Sequence, residues 1–238
     1  MEFEGIVIRQ TPFRDHDAMV TVLCSDKFRS FLVRGALKYD SKLGPAANMY
    51  TRSRFQLMKG KEGHALRNGE ILDSFEKIKT NIDCLAVEDF LGELTNKLIQ
   101  SDDAGEIYPS LLKSLELLNN GFSPFTVALI YFAKVLQVAG FGLNVDSCQI
   151  CGKKDSIIAI SYHDGGFICR DCLSPLKHVK NDPNKLKIIR YIFKVDLANY
   201  SKVEFDKKIC LSLINELAKF LNDVAQLNLK SIELLKKI

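Results

Sequence analysis

Arg29-Ser-Phe-Leu-Val-Arg34 and Arg52-Ser-Arg-Phe-Gln-Leu-Met-Lys59 are short runs of alternating character, separated by a long connection from Gly35 to Thr51. Alternation rich in β-branched and aromatic residues reads as half-buried strand. Two further strands precede this pair, Phe3–Arg9 and Ala18–Cys24, and one follows, Ala65–Phe75. The connections Ser25–Phe28 and Gly60–Gly63 are tight, so the second strand should pair with the third and the fourth with the fifth as hairpins. Five strands with the longest insertion after the third predict an OB-fold barrel, with an SH3-like barrel as the other arrangement of this pattern.

From Asn81 onward the period changes to that of helices. Ile82, Leu85, Phe90, Leu94 and Leu98 recur at near-helical spacing behind Asn81, a good N-cap. A second helix is expected from Pro109 to Gly121. A third should run between Ser123-Pro124 and Gly140, with Pro just inside the start and Gly just past the end. Its apolar residues go nearly all round, which predicts the buried centre of the helical part. Asp182-Pro183 and Asp206 open two more helices, and a short piece around Ser231–Lys237 follows. The fold class is therefore α+β: a barrel domain over residues 1–80, then a helical domain over 81–238.

Residues 147–173 interrupt the helices with Cys148-Gln-Ile-Cys151 and Cys169-Arg-Asp-Cys172. Seventeen residues separate the pairs, within the roughly 15–20 of a four-thiolate zinc site. Each C-x-x-C turn brings two sulfurs to one ion, and two turns complete a tetrahedron with no open position. Ile157–Tyr162 reads as a strand, Asp164-Gly165-Gly166 as a turn, and Phe167-Ile168 as the return. Gly152 supplies a position suited to positive φ beside Cys151. A closed site holds structure and leaves no bound water for chemistry, so the expected cofactor is a structural zinc. The deaminase pattern, H-x-E with P-C-x-x-C, is not met: Asp164-Gly165 follow His163, Ala65-Leu66 follow His64, and Ser147 precedes Cys148. Cys24, Cys84 and Cys210 are scattered in apolar contexts and read as core.

The net charge is +4, yet residues 27–67 hold ten Lys/Arg against Asp40 and Glu62 alone. A basic barrel on a mildly acidic body suggests a polyanion partner for the first part and a protein partner for the second. Arg29, Arg34, Lys38, Lys42, Arg52, Arg54, Lys61 and Arg67 are the candidate phosphate contacts. Tyr39 and Tyr50, in the long connection, are the candidate stacking residues. Phe31 and Phe55 read instead as barrel core. Asp15-His16-Asp17 reads as a solvated turn. No phosphate-binding glycine loop, G-x-S-x-G or H-E-x-x-H is found, so no enzyme is expected. Met1-Glu-Phe-Glu-Gly-Ile6 lacks the basic start and apolar run of a signal peptide. The most apolar segment, Phe125 to Phe141, carries Lys134 and Gln137 and is too short to span a bilayer. Free cysteines beside a zinc quartet point to a reducing, cytoplasmic setting.

The sequence resembles the RecO family of bacterial recombination mediators along its whole length. The likeness lies in Glu4-Gly-Ile-Val-Ile-Arg9, Phe13-Arg-Asp-His-Asp17 with Val20-Thr-Val-Leu23, Val33-Arg-Gly-Ala-Leu-Lys38 with Ser41-Lys42, and Gly69-Glu-Ile-Leu-Asp-Ser-Phe75. It continues in Phe141-Gly-Leu143 and in Gly165-Gly-Phe-Ile-Cys169. Leu37 departs from the pattern, standing where the family's Gly-Ala-x-Lys segment often has Arg. The resemblance implies a non-enzymatic protein that binds single- and double-stranded DNA and anneals complementary strands on the nucleoid. It further implies engagement of the acidic tail of the single-stranded DNA-binding protein, association with RecR, and help in loading RecA. A zinc-containing RNA- or ribosome-associated factor is the alternative compatible with a basic barrel and a four-cysteine knuckle.

Overall fold

In the computed structural model, which describes residues 1–60, 63–197, 200 and 203–238, the N-terminal part is a closed five-stranded barrel. Its strands are β1 (Glu2–Phe13), β2 (Asp17–Leu23), β3 (Phe28–Val33), β4 (Arg52–Gly60) and β5 (Gly63–Asp73). The order β1-β2-β3-β5-β4, closed by β1 against β4, is that of the OB fold. Strand β1 runs four residues beyond the expected Arg9. It pairs with β4 over Glu2–Ile6 and with β2 from Ile6 to Phe13, with an irregularity between Val7 and Arg9. Such a bulge bends one strand so that it can serve two neighbours. Closure leaves no free edge, and only the β3–β5 contact is parallel.

Inward-pointing Val7, Val20, Val22, Val33 and Leu66 fill the barrel around Phe3, Phe31 and Phe55. The three rings stand 5.3–6.1 Å apart, at distances where aromatic pairs are favourable. Phe31 and Phe55 are thus core, as their place in the alternation predicts.

The helices are α1 (Ile82–Leu98), α2 (Ala104–Asn119), α3 (Pro124–Val138), α4 (Pro183–Lys194), α5 (Lys207–Ala225) and α6 (Ile232–Leu235). Their starts follow local chemistry. The side chains of Asn81, Asp182 and Asp206 accept backbone N–H bonds at the openings of α1, α4 and α5. Helices α2 and α3 end on Gly121 and Gly140 at φ 82°. Phe122 N–H returns to Leu117 O, and Phe141 N–H to Leu136 O, the paired-bond ending that glycine permits. Helix α2 begins at Ala104, five residues before the expected Pro109, because buried Ala104 and Ile107 draw its first turn onto the core. Pro109 forfeits only the bond to Gly105 O.

Helix α3 is the hub: eleven of its fifteen residues are buried, and α1, α2, α4 and α5 all pack on it. Each large apolar side chain so buried contributes about 1.5–3 kcal/mol. Ile6, Ile8 and Leu23 point out of the barrel and join this helical core. Asn96 of α1 donates to Ile8 O at 2.6 Å. Barrel and helices therefore share buried surface. No helix among the described residues is long and apolar enough to cross a membrane.

Between α3 and α4 lies a small sheet of β6 (Asn144–Cys148), β7 (Ile157–Ser161) and β8 (Gly166–Cys169), in the order β6-β8-β7. The β7–β8 hairpin is the expected one. Strand β6, parallel to β8, lacks the alternation that would have marked it in sequence.

Candidate metal centre and nucleic-acid interface

The four-cysteine site is built where this small sheet ends. Cys148 closes β6 opposite Phe167 of β8, and Cys169 closes β8 two residues further on, so strand pairing brings both cysteines to the same end of the sheet. Each is followed by a tight turn that returns the second cysteine. After Cys148, Gly152 adopts φ 76° and donates to Cys148 O at 2.8 Å, as expected of that glycine. After Cys169, a single 3-10 turn over Arg170–Cys172 does the same. The four Sγ atoms lie within 4.8 Å of one another, and those of Cys151 and Cys169 are 3.6 Å apart. A tetrahedral ion with metal–sulfur bonds of about 2.3 Å spaces its ligands about 3.8 Å apart, so the residues fit.

Electrostatics point the same way. Burial opposes ionisation of Cys148, but backbone N–H groups of Cys169, Cys151 and Ile150 prevail and bring its thiol down to about 6. Cys172 is pushed the other way, to about 12, first by its hydrogen bond to Cys151 and then by burial. Four sulfurs this close cannot all ionise without a cation among them, whereas with one they can.

A second anchor went unseen in the sequence. His178, almost fully buried, accepts from Ser174 N–H at Nδ1 (3.0 Å), which leaves Nε2–H to donate to Asp164 at 2.8 Å. Ser161 also donates to Asp164, and the two bonds hold that carboxyl near 2. The hairpin turn is thereby tied to the chain leaving Cys172.

On the barrel the predicted basic residues fall into separate groups. Arg34, Lys38, Lys42 and Arg67 surround one open cleft of about 700 Å³, together with Asp40, Ser41 and Asn68. Among the described residues none of these four bases has a carboxylate in ion-pair distance. Tyr39 stands fully in solvent beside them. The connection that carries Lys38 and Lys42 is braced: Gly35 sits at φ 63°, its N–H donates to Asp17 Oδ1 at 2.7 Å, and Leu37 N–H donates to His16 O. Asp15-His16-Asp17 is thus a brace for the basic loop as well as a turn.

Arg52 and Arg54 lie elsewhere, on the outer β1–β4–β5 face. Glu4 accepts from Arg52 at 3.2 Å and from Arg54 at 2.8 Å, and Glu70 accepts from Arg54 at 2.9 Å. Glu4, Arg54 and Glu70 are directly opposed across the three strands, a favourable cross-strand arrangement. The Arg54 bond is the main reason the Glu4 carboxyl lies below its usual range. Arg29 is gripped at both nitrogens by Asp26 (2.5 and 2.7 Å) and stacks over Phe3 at 4.8 Å. Lys61 lies outside the described residues.

Tyr50 differs from its expected stacking role. It is buried at φ 59°, its hydroxyl donates to Asp89 of α1, and Gly92 of α1 makes the room for its ring. It fastens the barrel to the helices.

Comparison with known proteins agrees with this architecture at both ends of the chain. The family model described as Recombination protein O N terminal matches residues 1–75, and that described as Recombination protein O C terminal matches 80–233. The protein of Bacillus cytotoxicus named DNA repair protein RecO is 27% identical over 99% of this chain and 96% of its own length. Its namesake in Bacillus mycoides is 30% identical over 89% of this chain and 88% of its own. The two family models together cover nearly the whole chain, and this chain belongs to the RecO family.

Proposed function

We propose that this protein is a DNA-repair mediator that binds and anneals single-stranded DNA without catalysis, and that helps load the recombinase onto strands coated by single-stranded DNA-binding protein. The observation that carries this reading is the cleft edged by Arg34, Lys38, Lys42 and Arg67 with Tyr39 exposed beside it. Cations along a groove neutralise phosphates of any sequence, and an aromatic face accepts any base. A protein that grips the backbone alone leaves the base edges available, so pairing between two held strands supplies the recognition. Arg29, Arg52 and Arg54 carry carboxylate partners and would give a phosphate less than the four cleft residues do.

The quartet would hold zinc, the common ion for four thiolates, as a structural brace. Partners follow from the same reading: double-stranded DNA, RecR, the acidic tail of the single-stranded DNA-binding protein, and RecA indirectly, in the cytoplasm on the nucleoid. For that tail the best-fitting groove lies between the β7–β8 hairpin and α4. Ile157, Phe167, Pro183 and Leu186 form its floor, and Lys154, Lys187 and Arg190 its rim, around a cavity of about 270 Å³. Two further lysines of the helical body are occupied, Lys134 by Glu106 and Lys185 by Glu216.

The decisive experiment is annealing of complementary strands already coated by the cognate single-stranded DNA-binding protein. Acceleration by this protein is expected, and duplex formation no faster than without it would overturn the reading.

A further inference from the structure

The groove just described has two walls of different origin. One is the α4 helix, which contributes Leu186, Lys187 and Arg190. The other is strung on the cysteine site. Phe167 pairs with Cys148 and lies two residues before Cys169, while Ile157 pairs with Cys169 itself. Lys154 stands in the loop that leaves Cys151. That loop is shaped by bonds from Cys148 N–H to Lys153 O, Gln149 N–H to Phe167 O, and Gly152 N–H to Cys148 O. An ion pair between Lys153 and Asp171 closes it against the second cysteine turn.

We infer that the four-cysteine centre builds one wall of a docking groove for an acidic peptide segment bearing an apolar side chain, so that metal occupancy controls this interaction and leaves the DNA cleft alone. The inference rests on the proposed tail-binding groove and adds to it the dependence on metal. The occupant follows from charge. Three cations line the groove, and no carboxylate is among its lining residues. Asp146, beside the groove, is shared by Arg190 and Lys194 in half-exposed pairs that a carboxylate ligand can displace. The apolar floor then accepts one side chain from the peptide, and the rim holds its acids.

The dependence on metal follows from packing. Phe167 also belongs to the helical core, and His178 anchors the hairpin turn to the chain beyond Cys172, so the hairpin stays attached when metal leaves. The 149–156 loop is held less deeply, by bonds from Gln149 N–H to Phe167 O and from Arg170 N–H to Ser156 O and by the exposed Lys153–Asp171 pair. Cys148 stands just before it and Cys151 lies within it, so removal of the metal takes away the bonds that join this loop to the second cysteine turn and leaves those weaker ties alone to hold it. Lys154 then moves away from Lys187 and Arg190, while Ile157 stays paired with Cys169 in the hairpin.

The test uses the intact protein and a fluorescein-labelled peptide of four aspartates ending in phenylalanine. Binding is followed by anisotropy before and after metal removal with a chelator, with metal content and single-stranded DNA affinity measured in parallel. The expected result is at least a tenfold loss of peptide affinity on metal removal, restored by adding zinc, with DNA affinity within twofold throughout. Equal peptide affinity with and without metal overturns the inference while leaving the groove in place. No peptide binding by the metal-loaded protein overturns the groove and the inference together. Should the metal-free protein aggregate, Lys154→Ala and Lys187→Ala with metal bound provide the second arm. Comparable losses from both variants support a two-walled groove, and a loss from Lys187→Ala alone rules out the knuckle wall.

Discussion

A methyl group added at Gly92 would lie 2.2 Å from the Tyr50 hydroxyl oxygen, a distance no real contact reaches. The ring is boxed in, so Gly92→Ala must push the barrel off α1 or turn Tyr50 out. We expect a destabilisation of about 1–3 kcal/mol, the usual cost of overpacking. Urea denaturation checks it, and in a Tyr50→Ala background the same Gly92→Ala change should cost little. Tyr50 shows where residue-level reading stops. Its type and its loop position suit base stacking, and nothing local reveals that a glycine on a distant helix is shaped for it. The arginines teach the same lesson. Their positive sign is plain in the sequence, but Glu4 meets Arg52 and Arg54 only after β1 has closed against β4.

Features that depend on a few adjacent residues were legible at the level of elements. The caps at Asn81, Asp182 and Asp206, the glycine endings of α2 and α3, and the paired cysteine turns each satisfy backbone groups within one turn of themselves. The extension of β1 to Phe13, the early start of α2 and the existence of β6 were not, because tertiary partners stabilise each of them. Helix α1 carries a further consequence. Burial pushes the Glu88 carboxyl from 4.5 up to about 8, with Lys79 pulling it down and Asp89 raising it. A carboxyl whose folded pKa exceeds its unfolded value gives its full contribution below about 4.5 and loses it as pH rises through 8. The melting temperature should therefore fall between pH 5 and pH 8.5, and Glu88→Gln should make that fall shallower. An identical slope in the variant would exclude Glu88 as its source.

The β1–β4–β5 face makes its own prediction. Glu4→Gln with Glu70→Gln would release Arg52 and Arg54 to bind phosphate. Affinity for single-stranded DNA should rise, and its salt dependence should steepen by up to about 0.7 log units for each arginine freed. Titrations at several salt concentrations read both quantities. No change would show that DNA stays clear of this face even when it is positive.

Taken as a whole, the molecule separates two charged surfaces. One is a braced loop on a closed barrel, and the other a groove between a cysteine knuckle and a helix, with no lining residue in common. The charge asymmetry along the chain foretold the first surface. The second brings together residues from separate segments and could not be assembled from spacing. The most direct test of the central claim is the affinity for single-stranded DNA over a range of salt, comparing the unmodified protein with Arg34→Gln, Lys38→Gln, Lys42→Gln and Arg67→Gln combined. Weaker binding on every sequence and a slope flatter by roughly 0.7 log units per lost contact are expected. An unchanged slope and affinity in the fourfold variant would contradict that claim.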